Sequence, residues 1–376
     1  MLPGILRKAA LTAAAAGGTF LGATSLKLYD LKKHASIASC SQNKPEEYLD
    51  VLPTREEQLK SLQQEDVEYD VLVIGGGATG TGVALDAVTR GLKTALVERE
   101  DFAGQTSSKS TKLIHGGVRY LQAAILGVDI EQYNMVKEAL RERSNFLSIA
   151  PHLTKALPIL LPLYDWWKIP YMWIGIKMYD LVSGDTILRN SYYLNTERSL
   201  DVFPQLNETD LKGGIVYFDG QQNDARMCVA LALTAARMGA NVANYVEVTS
   251  LVKEMEGTGP APPKEVVKGA VVKDTLTGKE WTIRAKCVIN ATGPFTDAVR
   301  RMDDSTVRGI CQPSAGVHIT LPGYFTPKKL GLLNAETSDG RVVFVLPEQR
   351  TRSARSPPVL FQAKRTLNSF LTNAAS

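Results

Sequence analysis

The sequence predicts an α/β fold, a parallel sheet covered by helices and joined to a second, β-rich part. Three observations carry that expectation. "YDVLVIGGGATGTGVALDAVTRGLKTALVERED" runs from an apolar strand through G-x-G-x-x-G into a small-residue helix and then a second strand. Far downstream, "RAKCVINATGPFTD" sets another apolar strand, Cys287–Ile289, directly before Ala291-Thr292-Gly293. Val266–Val272, expected to form a hairpin with Trp281–Ile283, and the stretches Val317–Leu321 and Arg341–Leu346 are β-branched and apolar, and suit a sheet better than a helix.

Taken along the chain, residues 1–42 come first. Arg7, Lys8, Lys27, Lys32 and Lys33 stand there against the single acid Asp30, with many alanines, and this reads as a mitochondrial transit peptide. A membrane anchor is the rival reading, because Ala9 to Leu26 carries no charge, but few of those residues are large and apolar. Residues 43–68 read as a polar linker with one surface helix. Residues 69–347 hold the sheet motifs and are expected to form two interleaved subdomains. Residues 348–376 read as a basic tail with little strand or helix pattern.

Each part of the glycine motif has a physical task. Val71–Ile74, which includes Val73, is a buried strand, and Gly75 makes the tight turn after it. Gly76, Gly77, Ala78 and Thr79 let main-chain N–H groups at a helix start approach a pyrophosphate. Gly80 permits close helix–strand packing, helped by the small Gly82 and Ala84. Glu98, with Arg99 beside it, ends the second strand where a carboxylate can accept bonds from a ribose. NAD and FAD share this fingerprint. The late strand ending in Ala291-Thr292-Gly293, and a third parallel strand in "GANVANYVEVTSLV" with Val246 at the adenine, favour FAD.

The segments "IGGGATGTGVALDAVTRG", "GQTSSKSTKLIHGGVRYL" and "YFDGQQNDARM" together resemble the FAD-dependent glycerol-3-phosphate dehydrogenases, and with the leader their mitochondrial form. The resemblance implies a Rossmann-like FAD-binding domain and a β-rich substrate domain. It implies oxidation of sn-glycerol 3-phosphate to dihydroxyacetone phosphate by hydride transfer from C2 to flavin N5. Electrons then pass to ubiquinone at the mitochondrial inner membrane surface. Thr106, Ser107 and Ser108 would line the pyrophosphate and ribityl chain, and Gly116-Gly117 would lie against the flavin ring. Arg119 would grip the substrate phosphate through its guanidinium fork, with Tyr120 adding a hydroxyl. His115 and His318 are the two candidate bases. Lys109 and Lys112 are either anion ligands or solvated charges.

Composition narrows the remaining classes. A formal net charge of +4 is too small for a nucleic-acid footprint. The four cysteines are scattered, the histidines number four, and no metal-ligand spacing occurs, so no metal is expected. In Ala156–Val182 three tryptophans alternate with prolines and charges, which suits a segment lying at a membrane surface rather than crossing it. Oligomerisation is compatible with the sequence. After "RVVFVLP" the family pattern would continue with further flavin- and phosphate-binding segments and a helical domain with calcium-binding loops. None is found in this sequence, so the C-terminal part of the family fold is expected to be missing and the sheet unfinished. Two alternatives therefore stand: a non-catalytic, truncated FAD-binding fragment, and an amine-oxidising flavoprotein of the same fold.

Overall fold

The structure is a computed structural model that describes residues 51–257, 264–313, 316–335, 342–347 and 359–364. The expected transit peptide, the Pro/Gly-rich residues 258–263 and most of the tail lie outside the described residues. The strands in chain order are β1 (Glu68–Ile74), β2 (Thr94–Val97), β3 (Leu113–Ile114), β4 (Thr154–Leu163), β5 (Tyr192–Leu194), β6 (Gly213–Gln222) and β7 (Asn241–Ala243). They continue with β8 (Val246–Glu256), β9 (Lys264–Asp274), β10 (Glu280–Asn290), β11 (Gly316–Leu321), β12 (Gly331–Asn334), β13 (Val343–Pro347) and β14 (Val359–Lys364).

The first sheet has the order β7-β2-β1-β10-β9-β8. Its β7, β2, β1 and β10 strands are parallel, and the expected hairpin of β9 with β10 pairs Val272 with Trp281 and Ala270 with Ile283. Val71–Ile74 of β1 is an unbroken apolar run because both faces are covered. Leu72 and Ile74 join one core with Ala95, Val97, Ala270 and Ile283. Val71 and Val73 join another with Ala84, Ala87, Ala232 and Ala235. Those alanines belong to the helices Ala78–Thr89 and Asp224–Arg237, whose small side chains let them lie close to the sheet and to each other.

The glycines of the turn divide the work. Gly75 has φ +108°, and a Cβ there would come within 2.6 Å of the Ala291 carbonyl oxygen. A Cβ on Gly80 would lie 1.8 Å from the Gly75 carbonyl oxygen. Gly82 differs from expectation: a Cβ there would meet nothing within 4 Å, so close packing does not require it. The expected third parallel strand is also divided. Tyr245, at φ +55°, separates parallel β7 from β8, which turns away to pair antiparallel with β9.

The second sheet runs β11-β14-β13-β12-β4-β6-β3, with β5 also beside β6. The helices Val118–Gly127, Ile130–Ile149 and Lys168–Ser183 place Leu121, Leu140, Ile176 and Tyr179 against Leu157, Ile159 and Tyr217 of β4 and β6. Pro158 and Pro162 thus sit in a strand, and only the later part of Ala156–Val182 is helical. β14 corrects the reading of the tail. It arises within residues expected to lack strand pattern, pairs with both β11 and β13, and so fills a place in the sheet expected to be unfinished. No described helix is long and apolar enough to cross a membrane.

The helix expected in the linker is Arg55–Leu62, started by a capping box between Thr54 and Glu57. It covers the β7 edge of the first sheet. Gln58 Oε1 accepts from the Val242 N–H at 3.0 Å and from Asn241 Nδ2 at 3.1 Å, while Arg55 reaches Asp274 at 2.9 Å. Gln58→Ala leaves a buried N–H without its acceptor and is expected to lower stability by about 1–3 kcal/mol, read as a lower urea midpoint with an unchanged slope. Gly80→Ala forces the helix Ala78–Thr89 off the strand and is expected to cost about 1–3 kcal/mol in the same experiment.

Candidate functional site

β1 and β10 end side by side, and the chain turns outward from both. The Ala291 N–H donates to the Ile74 carbonyl at 2.9 Å, which holds the two turns together. Between them opens a cleft of about 360 Å³. Ile74, Gly75, Gly77, Ala78 and Thr79 form one wall, and Ala291, Thr292 and Gly293 another. Glu98, Arg99, Thr106, Ser107 and Val246 complete the part foreseen from the sequence. Val73, Gly76, Gly80 and Ser108 do not line it. Val73 is fully buried in the core, Gly80 is packed on Gly75, and the Ser108 carbonyl accepts from Lys112 Nζ at 3.1 Å. Gly76 faces the opposite way: its carbonyl accepts from the Ala103 N–H and from Cys228 Sγ. Burial raises the Cys228 thiol pKa, so it stays protonated and able to donate that bond.

The walls differ in chemistry. The helix Ala78–Thr89 presents its N-terminus to the cleft, and the Ala78 N–H donates to Ser107 Oγ at 2.9 Å. Glu98 braces the turn as well as facing the cleft. Its Oε2 accepts from the Gly76 N–H at 2.6 Å and its Oε1 from the Glu100 N–H at 2.8 Å. Each carboxylate oxygen keeps a further acceptor site for a ligand. Val248, Val299 and Met302 add an apolar side that the sequence reading did not include, and Phe295 lies under Arg99, whose guanidinium is 4.8 Å from the ring centre. Beyond the cleft, Asp297 fastens the chain that leads toward β11. The N–H groups of Cys311 and Ile310, then Arg300, hold its carboxyl down at about 2.

The four residues singled out for catalysis lie outside the cleft lining. His115 follows β3, is exposed, and stacks on Phe344 at 6.4 Å. Arg119 and Tyr120 are exposed in the first turn of the helix Val118–Gly127. Among the described residues Arg119 has no ion-pair partner. His318 stands on β11, where burial and then the nearby Lys112 hold its imidazole below its usual pKa, opposed by Asp224. Gly117 has φ +73°, and a Cβ on Gly116 would come within 2.7 Å of Leu140 Cγ. The pair of glycines therefore satisfies the chain's own packing on that side.

Lys112 is not a solvated charge. Its Nζ lies 2.8 Å and 2.9 Å from the two oxygens of Asp224, which also accepts from the Ser110 N–H and hydroxyl. Lys109 stays exposed near Gln105. Beneath the His115 turn lies a second buried carboxylate, Asp219, bonded to Arg143 at 2.7 Å and to the Tyr179 hydroxyl at 2.8 Å. Asp219 and Asp224 both fall in "YFDGQQNDARM", a segment noted in the sequence without a role for either acid. Arg143 and Tyr179 carry no local signal at all. Each lies on the buried side of its helix, Arg143 with Val136 and Leu140 and Tyr179 with Ile176.

Comparison with known proteins agrees with this geometry. The family model described as "FAD dependent oxidoreductase" matches residues 70–361. The chain is 65% identical over 298 residues to the glycerol-3-phosphate dehydrogenase, mitochondrial, of Rattus norvegicus, covering 79% of this chain and 40% of that protein. It is 64% identical over 298 residues to the protein of that name from Bos taurus, with the same shares covered. The chain thus spans about 40% of the length of these curated relatives. Among solved structures it resembles the glycerol-3-phosphate dehydrogenase from Bacillus halodurans complexed with FAD. The TM-score is 0.60 at 30% identity, over 83% of this chain and 50% of that one. A glycine turn and an Ala-Thr-Gly return meeting across one cleft, together with a family match over most of the chain, lead to one conclusion: the chain belongs to the FAD-dependent oxidoreductase family.

Proposed function

We propose that the chain carries the cofactor-binding half of a mitochondrial glycerol-3-phosphate dehydrogenase, which oxidises sn-glycerol 3-phosphate to dihydroxyacetone phosphate and delivers electrons to ubiquinone at the inner membrane. The observation that carries the reading is the cleft between the Gly75–Gly80 turn and Ala291–Gly293, with the basic His115–Tyr120 segment outside its lining as the candidate substrate side. Identity of 64–65% to the mitochondrial relatives over that region supports the choice of substrate.

The residues present fit an adenine dinucleotide. Gly77 is open toward the cleft, with only Ser107 Oγ within reach of an added Cβ, so a pyrophosphate can come close to the main chain at the helix start. Glu98 offers acceptors to a ribose, and Val246, Val248 and Met302 offer an apolar wall to a flat base. Bound FAD supplies a two-electron acceptor for the hydrogen on the substrate's C2. Arg119 binds the substrate phosphate, because it is exposed, always charged and unengaged by any described carboxylate. The C2 hydroxyl proton goes to an imidazole nitrogen. The chain offers two: His115 beside the turn, and His318, which the Lys112 ammonium and burial keep neutral and so able to accept it. Lys112 is held by Asp224, which leaves Arg119 as the cation for the phosphate.

A membrane-surface role for the segment after β4 rests on exposure. Trp166 is 69% exposed and Trp167 66%, with Tyr171 and Ile174 on the helix that follows also outward. Aromatic residues with a nearby lysine suit the headgroup region.

The test is an absorption spectrum of the purified, FAD-loaded chain before and after anaerobic addition of glycerol 3-phosphate. The oxidised flavin band at about 450 nm is expected to bleach. A band that persists would leave a cofactor-binding unit without catalysis, and reduction by an amino acid instead would make it an amine oxidiser. In the same assay Arg119→Ala is expected to raise KM about 10- to 100-fold, the loss of charge-assisted bonds to phosphate. A KM unchanged in that variant would remove Arg119 from the substrate site.

A further inference from the structure

We propose that Tyr179 and Asp219 are positioning residues that fix the His115–Gly116 peptide, with Arg143 as the buried counter-charge. The Gly116 N–H donates to the Tyr179 hydroxyl at 2.8 Å, and that hydroxyl donates to Asp219 Oδ1 at 2.8 Å. Arg143 donates to the same oxygen at 2.7 Å and to the Phe218 carbonyl at 3.1 Å. One hydroxyl thus connects the helix Lys168–Ser183, the strand β6 and the helix Ile130–Ile149 to a single peptide plane.

The direction of each bond is determined. Burial raises the Tyr179 hydroxyl well above its usual pKa, so it keeps its proton and must donate to the carboxylate while accepting from Gly116. Leu140 presses on the turn from below, leaving no room for a Cβ at Gly116. Asp219 also lies within electrostatic range of His115.

Stability alone does not account for this arrangement. Arg143 is 1% exposed and Asp219 2%, and a buried ion pair is often matched or bettered by apolar residues of similar volume. What apolar residues cannot supply is an acceptor aimed at the N–H of the residue that follows a candidate base. The effect on catalysis rests on the function proposed above; the effect on the turn does not.

Tyr179→Phe in the FAD-loaded full chain tests the inference by two readouts. Hydrogen exchange across residues 113–120 is expected to quicken about tenfold, as for one lost buried bond, with β1 and β10 unchanged. The limiting rate of flavin reduction by glycerol 3-phosphate is expected to fall about tenfold or more while KM moves less than about threefold. Asp219→Asn, which keeps an acceptor but loses the charge, is expected to quicken exchange in the same segment to a smaller degree. Unchanged exchange at 113–120 in Tyr179→Phe would overturn the inference whatever the rates. Global unfolding of both variants would overturn it too, by reducing the network to stability. If the unmodified chain is not reduced by glycerol 3-phosphate, the proposed function fails, and exchange at 113–120 still decides the role of Tyr179.

Discussion

The parallel pairing of β1 with β10 is the contact on which the rest of the structure depends. Ile74 lies opposite Asn290, although more than two hundred residues separate them in the chain. A parallel partner cannot arrive by a tight turn, so β10 reaches β1 only after the chain has built β2, the strands β3 to β6 of the second sheet and β7 to β9. The return puts Ala291–Gly293 against Gly75, where only a glycine leaves space for the opposing carbonyl. The cleft is therefore not a hollow in a finished surface. It is the gap left where two adjacent strands end and their chains diverge, which is where open α/β sheets bind ligands.

Much of this was legible because the signals are local. The apolar run of β1, the glycine spacing, the small-residue helix and the acid at the end of β2 each lie within a few residues of the group they serve. The β9–β10 hairpin was readable for the same reason. What escaped was settled by distant partners. β8 departs from the expected parallel course because β9 offers it a long antiparallel partner once Tyr245 has reversed the chain. β14 becomes a strand because β11 and β13 leave a place between them, not because of its own pattern. Gln58 looks like any surface glutamine until Val242 is found to need its oxygen.

The cations of the 109–119 segment show how burial sorts like residues into unlike roles. Lys112 and Arg119 are seven positions apart and look equally suited to an anion. Asp224 is almost wholly buried at the start of its helix, and a carboxylate in that setting needs a cation beside it. Lys112 meets that need and is consumed by it, whereas Arg119, on the outer side of a helix start, has no such claim on it. Asp219 repeats the pattern with Arg143 on the other side of β6. Two acids from one short motif thus anchor both ends of the loop between them.

The clasp made by Arg55 and Gln58 has a consequence for the sheet edge it covers. The capping box at Thr54 opens the helix that shields β7, and Leu52 just before it packs against the core around Val71 and Val73. A cut between Leu52 and Thr54 keeps the clasp but loses that apolar contact. A cut a single turn further would take away Gln58 and expose the Val242 amide at a bare strand edge, a template for pairing with another chain. Protection of the β7 edge thus rests on the first turn of one short helix.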